Sequence, residues 1–368
     1  MIVVDVFRIL MGGPGDVSGL VRLVDEGRID PEDIVAILGK TEGNGGVNDF
    51  TREYATWAFA GALAPYLGTT PAGVEERIAF VMSGGTEGVL SPHITVFVRR
   101  EVEGEPGAGK RLSVGVATTR VFRPDELGRS AQVEETVAAV RAAMARAAID
   151  DAADVHFVQI KCPLLTAERI EQAMVAGRRP ITGSTYGSMA YSRGASALGV
   201  AVALGEIDGP VVDEAILKNW DLSSSVASTS AGIELMRSVV VVMGNSAAAA
   251  SDCVIGHAVM RDAIDLARVL DAFSSVGLVG RNGPVDVDTG RIVQVFAKAE
   301  ASPDGFVRGF RHTMLDDTDI SATRHARAAV AGLVAGVAGH GAIYVSGGAE
   351  HQGPPGGGPI AVIARAAP

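Results

Sequence analysis

Cysteine is nearly absent from this chain of 368 residues: Cys162 and Cys253 are the only two. They cannot build a disulfide framework or a Cys-x-x-Cys metal site, which suits a reducing cytoplasm, and each reads as a buried, inert thiol. Positive charge is also in deficit. Lys and Arg number 32 against 43 Asp and Glu, a net charge of −11. That balance excludes the clustered basic excess that nucleic-acid binding requires. Long apolar runs are missing too. The longest, Val239 to Met243, is far too short to span a bilayer, so no membrane association is expected. The stretch Met1 to Arg8 has neither the basic region nor the long apolar core of a signal peptide. The seven histidines (93, 156, 257, 312, 325, 340 and 351) are scattered without His-x-x-x-His spacing, which argues against a histidine metal centre.

What is present is enough apolar material for large cores. Hydrophobic residues make up 47% of the chain and mean hydropathy is +0.26, values incompatible with disorder. The length allows two or three domains. The 46 glycines point to many close backbone approaches.

A short pattern, Ser-(Gly/Ala)-Gly-x-Glu, occurs three times: Ser83 to Glu87, Ser230 to Glu234 and Ser346 to Glu350. One copy alone would read as a turn. Upstream of each copy, however, a lysine closes an apolar, strand-like run: Lys40 after Ile34 to Gly39, Lys161 after His156 to Ile160, Lys298 after Ile292 to Ala297. Between lysine and serine each segment carries an arginine after a hydroxyl residue: Thr51-Arg52, Ser192-Arg193 and Thr323-Arg324. The order Lys, Arg, Ser therefore repeats three times, and such self-similarity signals repeated structural units. Each arginine is expected to open a helix, where a cation opposes the helix dipole, so the placement suggests function.

The units are placed at 1–103, 111–249 and 251–368. Strands are expected at Val3 to Leu10, Ile94 to Arg100, Ser238 to Met243 and Ile360 to Ala364, besides those ending at the lysines and serines. Helices are expected at 17–26, 52–66, 132–149, 166–176, 195–204, 252–272 (with Ser251 as its N-cap) and 326–338. Trp57 and Phe59 are assigned to the core. Gly104 to Lys110 has the glycine and lysine positions of a P-loop. Arg111 nevertheless stands where Mg²⁺ needs a hydroxyl, and a strand follows, so an exposed hairpin or linker is expected. Alternating strands and helices give an α/β fold: three structurally similar repeat domains around a pseudo-threefold axis with a central active site.

Lysine beside serine is one way to make a nucleophile, because a neutral lysine can take the hydroxyl proton. Burial and nearby cations both favour the neutral amine. The backbone N–H groups after each serine (Gly84, Ala231, Gly347) are natural oxyanion donors, and arginines present forked donors to carbonyl oxygens. Three such sets around one axis would bind a small flat ligand with three outward oxygens. Symmetry leaves all three serines as candidate nucleophiles. It also leaves open a non-catalytic binder of small cyclic triones.

The triple pattern, together with Val81 to Gly88, Arg311 to Asp319 and the tail from Ser346 to Gly357, resembles the cyanuric acid hydrolase/barbiturase family of ring-opening amidohydrolases. The resemblance spans essentially the whole chain and implies a cyclic imide substrate and a homotetramer. It implies hydrolysis of cyanuric acid to carboxybiuret, which decarboxylates to biuret, or alternatively opening of barbituric acid. It selects Ser230 as nucleophile and Lys161 as base. Arg52, Arg193 and Arg324, with Ser83-Gly84, Ser230-Ala231 and Ser346-Gly347, would hold the ring oxygens, and Lys40 and Lys298 would orient the other serines. Ile320 would tune ring preference. No organic cofactor is implied. A structural Mg²⁺ or Ca²⁺ is, held by Glu300 and carbonyls of Ala349, Gln352, Gly353, Pro354 and Gly357, an oxygen-only set that suits either ion.

Overall fold

The computed structural model of the protein describes residues 1–279, 287–316 and 319–367; Asp317 and Thr318 of the Arg311–Asp319 stretch lie outside the described residues. Three four-stranded sheets share one strand order. The first comprises β1 (Ile2–Leu10), β2 (Ile34–Thr41), β3 (Ala79–Gly84) and β4 (His93–Glu101), ordered β1-β4-β2-β3. The second comprises β5 (Arg111–Thr118), β6 (Val155–Pro163), β7 (Ala227–Gly232) and β8 (Val239–Ser246), ordered β5-β8-β6-β7. The third comprises β9 (Cys253–Met260), β10 (Ile292–Ala299), β13 (Tyr344–Gly347) and β14 (Gly358–Arg365), ordered β9-β14-β10-β13. A two-stranded hairpin, β11 (Phe306–Val307) and β12 (Phe310–Arg311), is inserted in this last unit.

In every sheet the lysine strand pairs in parallel with the serine strand, and the other pairings are antiparallel. A parallel pair needs a crossover, and helices supply it. These are α2 (Phe50–Leu63) and α3 (Pro71–Arg77), then α5 (Ala167–Val175) and α6 (Thr185–Ala203), then α8 (Ala322–Ala338). The remaining helices, α1 (Ser18–Asp25), α4 (Ser130–Arg146) and α7 (Leu266–Ser275), follow the first strand of each sheet.

One face of each sheet packs on its own helices and forms a separate core. The other faces meet in a shared core that takes Val4 and Phe97 from the first sheet, Val114 and Phe157 from the second, and Ile255, Phe296 and Tyr344 from the third. The Phe296 ring lies 6.4 Å from that of Phe97 and 5.3 Å from that of Phe157. Strands buried on both faces read as continuous apolar runs, which is why Ile34 to Leu38 shows little alternation. The linker 102–110 is exposed and joins two different sheets, as expected for the rejected P-loop match.

The helix expected over 252–272 is a correction. Residues 253–260 form β9, which pairs antiparallel with β14 along its whole length. Only 266–275 is helical, and its N-cap is Asp265, whose side chain accepts the Arg268 N–H. Ser251 instead accepts the Val4 N–H and donates to the Leu112 carbonyl, tying the three sheets together. Tertiary pairing overrode local helical pattern here, although Val254, Ile255 and Val259 favour a strand. Helix α6 starts ten residues before the expected Ala195, so Arg193 lies in mid-helix rather than in a first turn. Phe59 is core, but Trp57 is 64% exposed.

Candidate active site

Strand register brings each lysine beside its serine. Lys40 lies opposite Ser83, Lys161 opposite Ser230 and Lys298 opposite Ser346, in three equivalent parallel pairs. The serines converge: Ser230 Oγ is 3.1 Å from Ser346 Oγ. Ser83, Gly84, Ser230, Ala231, Ser346 and Gly347 line one small cavity of about 30 Å³ together with Arg52 and Arg193. It shares Gly45, Met189, Arg193, Arg327 and Gly347 with a vestibule of about 320 Å³. Beneath lies Tyr344, fully buried, its hydroxyl close to Ser83 and Ser230 but without a formed hydrogen bond.

All three lysines are fully buried, and burial drives each toward the neutral amine. Lys298 is lowered to about 7 by desolvation and then by Arg193. Lys40 is pushed well down by desolvation and then by Arg327. These two have matching partners. Lys40 Nζ donates to Ser83 Oγ at 3.1 Å and to the Gly84 carbonyl at 2.9 Å. Lys298 Nζ donates to Ser346 Oγ at 3.1 Å and to the Gly347 carbonyl at 3.0 Å. Lys161 is different. It pairs with Glu234 Oε1 at 2.8 Å and donates to the Met82 carbonyl at 2.9 Å. Burial lowers Lys161 and Arg52 adds to this, while Glu234 opposes both.

The glutamates that close the three serine motifs explain the difference, and sequence reasoning assigned them no role. Glu87 is held by Arg327 through a two-pronged pair at 2.6 and 2.8 Å. Glu350 is held by Arg193 in the same way at 2.5 and 2.7 Å. No such fork reaches Glu234 among the described residues, because Arg52 donates to the Ala231 and Gly46 carbonyls. Backbone geometry contributes as well. Gly85 (φ 90°) and Gly348 (φ 76°) are left-handed, so their chains leave the sheet before the glutamate. Gly232 is still in strand β7, paired with Pro163, and this delivers Glu234 to Lys161. The motif's fifth position was visible in the sequence as a repeated acid, and that was the available signal.

Arg324 sits in the first turn of α8, as expected. It lines the vestibule, its side chain is 36% exposed and its Nε lies 3.8 Å from Glu87 Oε1. Arg327, one turn on, is buried and takes the inner position. Both arginines lie between Lys298 and Ser346 in the sequence, and packing separates them. Ile320 is exposed, between two residues of the vestibule wall, Asp319 and Ser321.

The tail from Ala349 to Gly357 folds against Ser302, and Gly358 packs against Lys298. Gln352 is buried, its Oε1 accepting the Thr229 N–H and its Nε2 donating to the Gly348 carbonyl. The Ala349 and Pro354 carbonyls each accept one backbone N–H, which leaves each a second lone pair. The Glu300 carboxylate, raised by burial and then by Glu350, accepts only the adjacent Ala301 N–H among the described residues. A buried carboxylate with so little compensation, beside a carbonyl-rich loop, fits a hard cation. Among the described residues there is no cluster of three or more His, Cys, Asp or Glu. No helix there is long and apolar enough to cross a membrane.

The family model described as "Amidohydrolase ring-opening protein" matches residues 5–365. A cyanuric acid amidohydrolase of Bradyrhizobium diazoefficiens is 68% identical over 365 residues, covering 98% of each chain. One from Pseudomonas sp. strain ADP is 58% identical over 365 residues, covering 99% of each. A solved cyanuric acid hydrolase superposes over 100% of both chains with a TM-score of 0.95 at 58% identity.

Proposed function

The chain belongs to the ring-opening amidohydrolase family, and from that premise we propose that it hydrolyses one ring C–N bond of cyanuric acid. Carboxybiuret forms and loses CO₂ to give biuret. The observation that carries this reading is the convergence of three Lys–Ser register pairs and the arginines on one cavity. A flat trione has three carbonyl oxygens to match three sets.

Ser230 acts as nucleophile and Lys161 as its base. What supports the middle set is its asymmetry: the flanking lysines are tied to their own serines, whereas Lys161 is tied to an acid with which it can exchange a proton. Neutral Lys161 takes the Ser230 Oγ proton as Oγ attacks a ring carbonyl carbon. The adjacent C–N bond breaks, and Lys161 returns the proton to the departing ring nitrogen. Water then attacks the acyl carbon, passes its proton to Lys161, and Ser230 recovers it. Backbone N–H groups at Gly84, Ala231 and Gly347 serve the oxyanion and the other carbonyls, and the arginines neutralise charge developing on the ring. A purely symmetric binder has no use for one odd lysine.

Glu300 and the carbonyls of Ala349, Gln352, Gly353, Pro354 and Gly357 would hold Mg²⁺ or Ca²⁺, which would stiffen the loop behind Ser346. A homotetramer is part of the same reading. Phe50, Tyr54 and Trp57, exposed by 69, 52 and 64% at helical spacing on α2, support burial of that face in an assembly. The decisive assay follows cyanuric acid against barbituric acid. Biuret formed by the wild type and lost in Ser230→Ala supports the reading. Preferential turnover of barbituric acid would move the substrate to the pyrimidine ring, and binding without ring opening would remove the enzyme.

A further inference from the structure

Lys161 lies deep between sheets, and a ring seated over Ser230 would close the front of the cavity. Glu234 is where this buried ion pair comes closest to solvent: its side chain is 15% exposed against 1% for Lys161. Glu234 also lines a second cavity of about 390 Å³ at the seam of the first two units. That cavity is walled by Thr56 of α2, Glu75 to Phe80 around the end of α3, Val116, Val121 and the segment 234–237. Glu234 Oε2 is buried and has no hydrogen-bond partner among the described residues, an orphan that one ordered water at the inner end of the cavity would satisfy. The residues that follow the other two motif glutamates are closely packed. After Glu87, Gly341 presses against the Val89 carbonyl, where even a Cβ would sit 2.0 Å from the oxygen. After Glu350, His351 is buried with its ring bonded to the Leu217 N–H and the Leu222 carbonyl.

We propose that this second cavity is a rear water and proton route to the active site, and that Glu234 is the positioning residue linking it to Lys161. The inference rests on the amidohydrolase reading above. The exchange balances without another reactant: the Lys161 ammonium gives a proton to the Glu234 carboxylate, an N–H bond breaking as an O–H bond forms. Glu234 then releases that proton to water in the cavity, leaving Lys161 neutral and able to accept the Ser230 proton. The route works while substrate blocks the front. The charged groups facing Glu234 are Lys161 from β6, Arg52 from α2, Glu75 from α3, Arg169 from α5 and Arg237 on its own segment. Glu75 lies exposed in the same wall, a carboxylate at the solvent side of the cavity, its pKa raised by desolvation and then by Glu53.

The test uses the whole protein and begins with wild-type turnover of cyanuric acid; if that fails, the proposed function fails and not the route. Glu234→Ala is expected to lose about a hundredfold in kcat with KM little changed, and added sodium formate to recover part of it by occupying the vacated carboxylate site. In the background Thr56→Trp/Val121→Trp, which fills the rear cavity from residues outside the catalytic set, formate is expected to rescue nothing. The same double substitution with Glu234 intact should lower kcat severalfold and enlarge its solvent isotope effect, a readout that does not depend on Glu234→Ala folding. Full activity of Glu234→Ala, absence of formate rescue, equal rescue with the cavity filled, or an unaltered kcat in the double variant would each overturn the route.

Discussion

The middle lysine–serine set and its two flanking copies have the same strands, the same register and the same motif, yet they end in different electrostatic states. In the flanking sets each glutamate is claimed by an arginine, and each lysine turns to its own serine. In the middle set no arginine among the described residues forks onto the glutamate, and the lysine turns to it instead. Closely similar motifs have thus produced two lysine–serine pairs and one lysine–glutamate pair. Triplication supplies the shape of a site for a threefold ligand. A small local departure sets one lysine apart from the other two.

The largest effect that can break this comparison is loss of the nucleophile. Ser230→Ala is expected to lower kcat by at least about a thousandfold, while Ser83→Ala and Ser346→Ala lose substantially less, as steady-state kinetics will show. Equal losses at all three would restore the symmetry and remove the special status of the middle set. Next comes the fork itself. Arg327→Met removes both prongs from the partly buried Glu87 and leaves it Arg324 at 3.8 Å, and is expected to cost about 1.5–3 kcal/mol in denaturant unfolding. A cost well below that range would show that another cation, Arg324 or Lys40, has taken over Glu87, and in the second case the first set would resemble the middle one.

The pH dependence of stability sharpens the contrast further. Lys298 titrates near 7 in the folded protein against 10.5 for an ordinary lysine. Between those values the unfolded chain binds the extra proton, so this group makes stability rise with pH from about 7 toward the ordinary lysine value. Lys298→Met is expected to flatten that rise in midpoints measured across the window. The smallest effect belongs to Ala231→Gly, which gives the middle serine the neighbour its copies have. Backbone donors are unchanged, so kcat is expected to stay within about twofold and stability to fall by about 0.5–1 kcal/mol. A larger loss of activity would mean that the methyl group at 231 helps keep β7 extended as far as Gly232. The reverse exchange is not open at 84, where a Cβ would lie 1.7 Å from Asp49 Oδ2.

Much of the fold was legible because it repeats. The lysine strands, the serine turns and the crossover helices between them could be read three times over, and weak local signals gained weight from one another. The misreadings fall where that repetition was set aside. Residues 252–272 were assigned a helix from composition, although the first strand of each earlier unit pointed to β9. Arg327 went unnoticed, since no hydroxyl precedes it as one precedes Arg324, although it is buried and reaches the small cavity. Trp57 was assigned to the core on its size, but α2 turns it outward.

By itself, then, the amino-acid order determined the residue types, their threefold spacing and the strand ends on which they sit. Those are local properties, set by backbone propensity and by which side chains can be buried on two sheet faces. It could not determine which of three equivalent lysines keeps a carboxylate partner. That was decided by tertiary structure, where one extra extended residue at Gly232 and the reach of Arg193 and Arg327 across the seams choose the partner of each acid. Charge interactions of this kind act through space at a few ångströms, between residues far apart along the chain, and only folding sets those distances.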